Sequence, residues 1–260
     1  MDYFWRNKGF TYDSSIDYFL SQYHLILIGS LMIISLLLWL LIRKLSQPKQ
    51  RLMFRIIGVL LLILEVLRFI NFLEYFSRNW FGSIGFHLCS FGVYITILAA
   101  IFQKKWLFDA LLIFAIIGAP LAVIMPMGIL PWYNAYSFLP LQSFLSHALI
   151  TWVFVIGQQL KLWQPNSKSY WISATALIFA YVVATIASFI NHNYPTGGHD
   201  NFIWTRYVDA SFPVISNWPY PYYLIFMFVL MIVIGFLYIF VSNKIQQKKA
   251  SKSNTLLVQK

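Results

Sequence analysis

Seven stretches of about twenty residues each, almost wholly apolar, divide this chain and decide what it can fold into. They run from Tyr23 to Ile42, Leu52 to Leu73, Ile84 to Phe102, Trp106 to Met125, Leu141 to Lys161, Tyr170 to Ile190 and Tyr220 to Val241. A helix rising ~1.5 Å per residue needs about 20 residues to cross ~30 Å of hydrocarbon. Strands of a membrane barrel would be about ten residues of alternating polarity, and these runs do not alternate. The pattern predicts an all-α polytopic membrane protein, a bundle of about seven transmembrane helices.

Composition agrees. Of 260 residues only 10% are charged and 60% are apolar, whereas a soluble domain carries about 25% charged residues on its surface. The excess of 19 Lys and Arg over 8 Asp and Glu does not mark a nucleic-acid binder, because the basic residues lie in the short gaps between apolar runs. Fourteen of them, including Arg43, Lys44, Lys104, Lys105, Lys161 and Lys244, fall on one side. Arg6, Lys8, Arg78 and Arg206 fall on the other. The excess of Lys and Arg in cytoplasmic loops then predicts an outer N-terminus and a cytoplasmic C-terminus in the cell membrane. An odd number of spans requires the same.

The chain is expected to divide into an extracytoplasmic segment over 1–22, a seven-helix transmembrane domain over 23–242 and a basic cytoplasmic tail over 243–260. The first 22 residues lack the basic start and apolar middle of a signal peptide. His192 to Pro219 is too short for a domain of its own, and its aromatics suit a loop lying on the interface. The tail, polar and rich in lysine, is expected to be disordered against anionic headgroups. With Cys89 the single cysteine, no intrachain disulfide can form.

Ionisable groups inside lipid cost at least ~2.5–3.5 kcal/mol and so mark candidate sites. Glu65 and Arg68, three residues apart in the outer half of the second span, share a helical face and can pair. Asn71 extends that face. The third span opens Phe86-His87-Leu88-Cys89, and His147 sits in the fifth near Ser143, Ser146 and Thr151. At ~1.5 Å per residue, His87, Cys89, Arg68, His147 and Glu65 fall in one slab about 5–12 Å below the outer boundary. Each has a plainer reading as well. The pair fixes packing, Cys89 shares a small-residue stripe with Gly85, Gly92 and Thr96, and His147 makes an interhelical hydrogen bond. On a continuous helix His87 and Cys89 would also face nearly opposite ways. Asp109 reads as interfacial. His24, His192 and His199 have no spacing that suggests metal ligands, and no metal or cofactor is expected.

These residues resemble the YwaF-type bacterial membrane proteins, in Glu65 and Arg68 before an outer loop, then His87-Leu88-Cys89. The likeness continues in Gly118, Leu121-Ala122, Pro126, Ser146-His147, Asn193-Tyr194 and Trp218-Pro219-Tyr220. A distant eukaryotic group of multi-span phospholipid acyltransferases has a similar histidine-and-cysteine segment. That resemblance implies Cys89 as nucleophile, His147 as base with His87 beside it, and Arg68 as a contact for a headgroup phosphate. Glu65, Asn71 and Asn193 join Arg68 as candidate substrate-binding residues. Gly85-Phe86 stands where the family tends to have Leu-Pro-Leu.

Three functions fit. One is a Cys/His acyltransferase or hydrolase on membrane lipid at the outer leaflet, needing no protein partner that the sequence identifies. Another is a transporter or ion-coupled carrier with Glu65, Arg68 and His147 along a polar path. The third is a protein that binds a small ligand between its helices. A retinal pump is excluded, since its Schiff base needs a lysine in the last span and Tyr220 to Val241 has none.

Overall fold

The computed structural model describes residues 4–5, 20–75, 83–125, 130, 133, 136–193, 218 and 222–258, and all the regular structure among them is helical. Seven helices carry the fold: α1 (Gln22–Ile42), α2 (Gln47–Tyr75), α3 (Leu88–Phe102), α4 (Lys105–Ile124), α5 (Phe138–Gln159), α6 (Ser167–Asn193) and α7 (Tyr222–Val258). Every one except α3 has the length and apolarity to cross a membrane. The chain is a multi-span membrane protein.

α1 turns mostly apolar side chains outward, Met32, Ile33 and Leu37 among them, as a lipid-facing helix does. Two polar contacts dock it. His24 Nε2 lies 2.8 Å from the Val123 carbonyl at the end of α4, and Trp152 Nε1 donates to the Ser35 carbonyl at 3.2 Å. α4 and α5 are the most buried spans. Their Leu111, Phe114, Ile150 and Phe154 form one core with Phe54 of α2, Val93 of α3, Leu177 of α6 and Met231 of α7. At Gly58 α2 approaches α3 so closely that a Cβ would stand 2.8 Å from Ile101 Cγ1. The absence of a side chain there sets the distance between the two helices.

α4 widens into a π-helical turn at Phe114–Gly118, which leaves backbone groups for neighbours to satisfy. Ser173 Oγ of α6 accepts from the Ile113 amide at 2.9 Å, and Thr151 Oγ1 of α5 donates to the Ala115 carbonyl at 3.2 Å.

Three expectations change. The third apolar run is not one continuous helix from Ile84. Ser83 and Ile84 are helical, the helix breaks at Gly85, whose φ of +73° is left-handed, and α3 begins only at Leu88. The fifth run begins at Phe138, three residues early, because Pro140 falls in the first turn, where its missing N–H has no helical partner. The tail is helical rather than disordered: α7 continues to Val258 through a stretch free of Gly and Pro and rich in good helix formers. The loop after Asn193 lies outside the described residues except for Trp218.

Candidate functional site

The site forms where α2, the break before α3 and the outer part of α5 meet. It begins with the pair anticipated on α2. Arg68 Nε donates to Glu65 Oε2 at 3.0 Å and Nη2 to Oε1 at 2.5 Å. This bidentate pair is the strongest geometry available to the two side chains, and both are largely buried. From α5, Gln142 Nε2 approaches Glu65 Oε2 at 3.4 Å and Ser146 Oγ at 3.2 Å.

Arg68 has a second role that spacing along the sequence does not reveal. The break at Gly85 leaves backbone carbonyls without helical donors, and inside a bilayer each needs one. Arg68 Nη2 donates to the Ile84 carbonyl at 2.8 Å, and the Tyr94 hydroxyl, from the second turn of α3, donates to the same oxygen. A Cβ at Gly85 would lie 3.1 Å from Arg68 Nη2, so glycine permits both the left-handed turn and the close approach of the guanidinium.

His87 follows the break as the N-cap of α3, with extended backbone angles of −72° and 154° and no side-chain capping bond to the helix. The helical-wheel angle between His87 and Cys89 therefore does not apply. The first backbone bond of the helix runs from the Phe91 amide to the His87 carbonyl at 3.2 Å. Cys89 is the second residue of α3 and is half-buried.

Opposite it, on α5, His147 is 7% exposed. Its Nδ1 lies 2.6 Å from the Ser143 carbonyl one turn earlier. A carbonyl only accepts, so Nδ1 carries the proton of the neutral ring and Nε2 carries the lone pair. Nε2 is buried and has no well-aligned partner among the described residues. The Cys89 side chain lies beside the His147 ring, with no aligned bond between the two among the described residues.

The remaining candidates disperse. Asn71 is buried but points away from the pair. Its Nδ2 donates to the Trp5 carbonyl at 2.8 Å, and its Oδ1 has no partner among the described residues. Asn193 closes α6, and its side chain lies outside the described residues. Asp109, near the start of α4, is buried within the protein. At 2% exposure it accepts from Trp163 Nε1 at 2.8 Å and from Lys105 Nζ at 2.9 Å, tying α4 to the connection between α5 and α6. Among the described residues no three His, Cys, Asp or Glu side chains gather as a metal ion would require.

Sequence reasoning missed Tyr94, Gln142 and the break itself. Gly85 among apolar residues was the available signal, since an isolated glycine in a regular run often marks an irregular backbone. Residues 19–238 match the model of the TMEM164 family, a multi-span membrane family, and the chain belongs to it. No curated protein and no solved structure matches.

Proposed function

We propose that this member of the TMEM164 family is a thiol-dependent acyltransferase or hydrolase acting on membrane lipid at the outer leaflet of the cell membrane. One observation carries the reading: the Ser143 carbonyl holds the His147 proton on Nδ1, so the lone pair falls on Nε2, unpartnered among the described residues, in a ring that lies beside the Cys89 side chain. A thiol is a weak nucleophile until a base takes its proton, and a base oriented by a third group is the general arrangement for such activation. Here the third group is a backbone carbonyl. The resemblance of His87-Leu88-Cys89 to the histidine-and-cysteine segment of multi-span phospholipid acyltransferases, read from the sequence, points the same way.

In this reading Nε2 takes the thiol proton as Cys89 Sγ attacks the carbonyl carbon of a lipid ester. The C–O bond to the alcohol breaks, and the imidazolium returns the proton to the departing oxygen, leaving a thioester on Cys89. Water or a second lipid hydroxyl then attacks the thioester, gives its proton to Nε2 and restores the thiol. His87, the cap of α3 two residues before Cys89, joins this reading as a further catalytic candidate. Arg68 is the candidate contact for a headgroup phosphate, since Nη1 makes no hydrogen bond among the described residues, and Glu65 holds it in place. Asn71 offers its Oδ1, without a partner among the described residues, to a glycerol or headgroup donor, and Asn193 enters on the resemblance alone. A carrier gains less from this arrangement. Glu65 and Arg68 close on each other, and from His147 towards the cytoplasmic end the interior is filled by Val93, Ile97, Phe114 and Ile150.

The test is acylation of the purified protein by p-nitrophenyl decanoate in mild detergent. A burst of nitrophenol and a decanoyl thioester on Cys89 by mass spectrometry are expected. Cys89→Ser should remove both, and His147→Ala should slow the burst about 10²-fold or more. Acylation at Cys89 that ignores His147 would leave a packing cysteine and end the reading.

A further inference from the structure

An acyl-transfer site needs more than a nucleophile and a base. The carbonyl oxygen becomes an oxyanion as the thiolate attacks, and donors aimed at it supply one of the largest contributions to catalysis. Resting on the reading above, we infer that the N-terminus of α3 is the oxyanion site, with the backbone N–H groups of Cys89 and Ser90 as its donors.

The amides of Leu88, Cys89 and Ser90 precede the first helical bond, which starts at Phe91. None of the three makes a hydrogen bond among the described residues, and the first turn has neither an acidic residue nor a side-chain cap. Most exposed helices have these groups satisfied by water or a capping side chain. Here Ser90 is buried and Cys89 half-buried. The positive end of a helix dipole therefore stands open to an anion. The independent observation concerns His147. Its Nε2 is buried with no partner among the described residues, and its side chain lies beside that of Cys89 in the same first turn. A reacting carbonyl between them would have its carbon at Sγ, its leaving oxygen towards Nε2 and its oxyanion at the free amides.

The break at Gly85–His87 explains how such an end comes to lie inside a membrane bundle. Had the helix continued from Ile84, the amides of Leu88, Cys89 and Ser90 would bond to the carbonyls of residues 84–86. Arg68 and Tyr94 take the Ile84 carbonyl instead and so keep the donors free. They are positioning residues for the oxyanion site.

The test compares two reagents on the full chain in detergent. Decanoylation by p-nitrophenyl decanoate builds an oxyanion at Cys89, whereas alkylation by N-decyl iodoacetamide does not. Ser90→Pro removes one amide at a position where proline is tolerated, and Ser90→Ala controls for the side chain. The expected result is an acylation rate about 10²-fold lower in Ser90→Pro than in Ser90→Ala, with the alkylation rates of the two variants within about threefold of each other. A second measurement needs no variant. A decyl trifluoromethyl ketone adduct on Cys89, followed by fluorine resonance, should ionise about 10²-fold more readily than the same adduct on a small thiol in micelles. Equal falls in both rates, an unchanged acylation rate, or an adduct that ionises like the reference would overturn the inference while Cys89 chemistry survives. Failure of Cys89 to react with the ester or the ketone would instead end the acyl-transfer reading itself.

Discussion

Removing one member of the Glu65–Arg68 pair should harm the fold more than removing both. In Arg68→Met the Glu65 carboxylate keeps, among the described residues, the weak bond from Gln142 Nε2 at 3.4 Å and the nearby Tyr94 hydroxyl, and no cation. An abandoned charge in such a setting costs ~3–5 kcal/mol. The Ile84 carbonyl also loses one of its two donors, worth about 1 kcal/mol while Tyr94 remains. Glu65→Gln leaves the guanidinium bonded to Ile84 and should fall at the lower end, near ~3 kcal/mol. The double variant carries neither charge and should lose only the bond to Ile84 and some packing. On these costs a double-mutant cycle should be non-additive by about 5 kcal/mol. Unfolding in mixed micelles with rising dodecyl sulfate, followed by tryptophan fluorescence, gives the four free energies. Singles that each cost under ~0.5 kcal/mol would behave like an exposed surface pair. That outcome, or simple additivity, would refute the buried, coupled arrangement.

Gly85→Ala should destabilise by about 1–2 kcal/mol through its left-handed backbone and lower Cys89 reactivity by displacing Arg68; an unchanged midpoint and reactivity would mean that the turn tolerates a side chain. Gly58→Ala sets a Cβ 2.8 Å from Ile101 Cγ1 and 3.2 Å from the Ile97 carbonyl, and the crowding should cost about 1–3 kcal/mol in the same unfolding measurement. For topology, single cysteines near Ser83, Tyr133 or Gly198 (with Cys89 replaced) should react with an impermeant thiol reagent on intact cells, whereas those at Gln47 or Ser251 should not. Reversed labelling would put the site on the cytoplasmic leaflet.

The spans were legible because lipid admits few alternatives to a long apolar helix, and the Glu65–Arg68 pair because a three-residue spacing brings side chains together. The proximity of Cys89 and His147 was legible only through depth, and only with depth counted from the C-terminal ends of the two helices. Measured from the cytoplasmic ends, Cys89 lies 13 residues from Phe102 and His147 12 residues from Gln159, about 20 and 18 Å at ~1.5 Å per residue. Measured from the outer ends of the helices they disagree, because α3 starts below the outer face. Apolar periodicity cannot register that recess, since Ile84 and Phe86 are as apolar as any helical neighbour. Asn71 shares a face with Arg68 by spacing, yet it bonds to Trp5, which no pattern within α2 encodes.

The lock on His147 has a consequence for the traffic of protons. With Nδ1–H held by a carbonyl of its own helix, the ring has one open port. A proton received at Nε2 cannot leave through Nδ1 while that bond stands, so it departs by the door through which it came. A relay across a membrane needs a ring that takes a proton on one face and releases it on the other. A one-port ring suits exchange between successive visitors to one cleft, where a departing alcohol collects the proton and the next hydroxyl to arrive returns one.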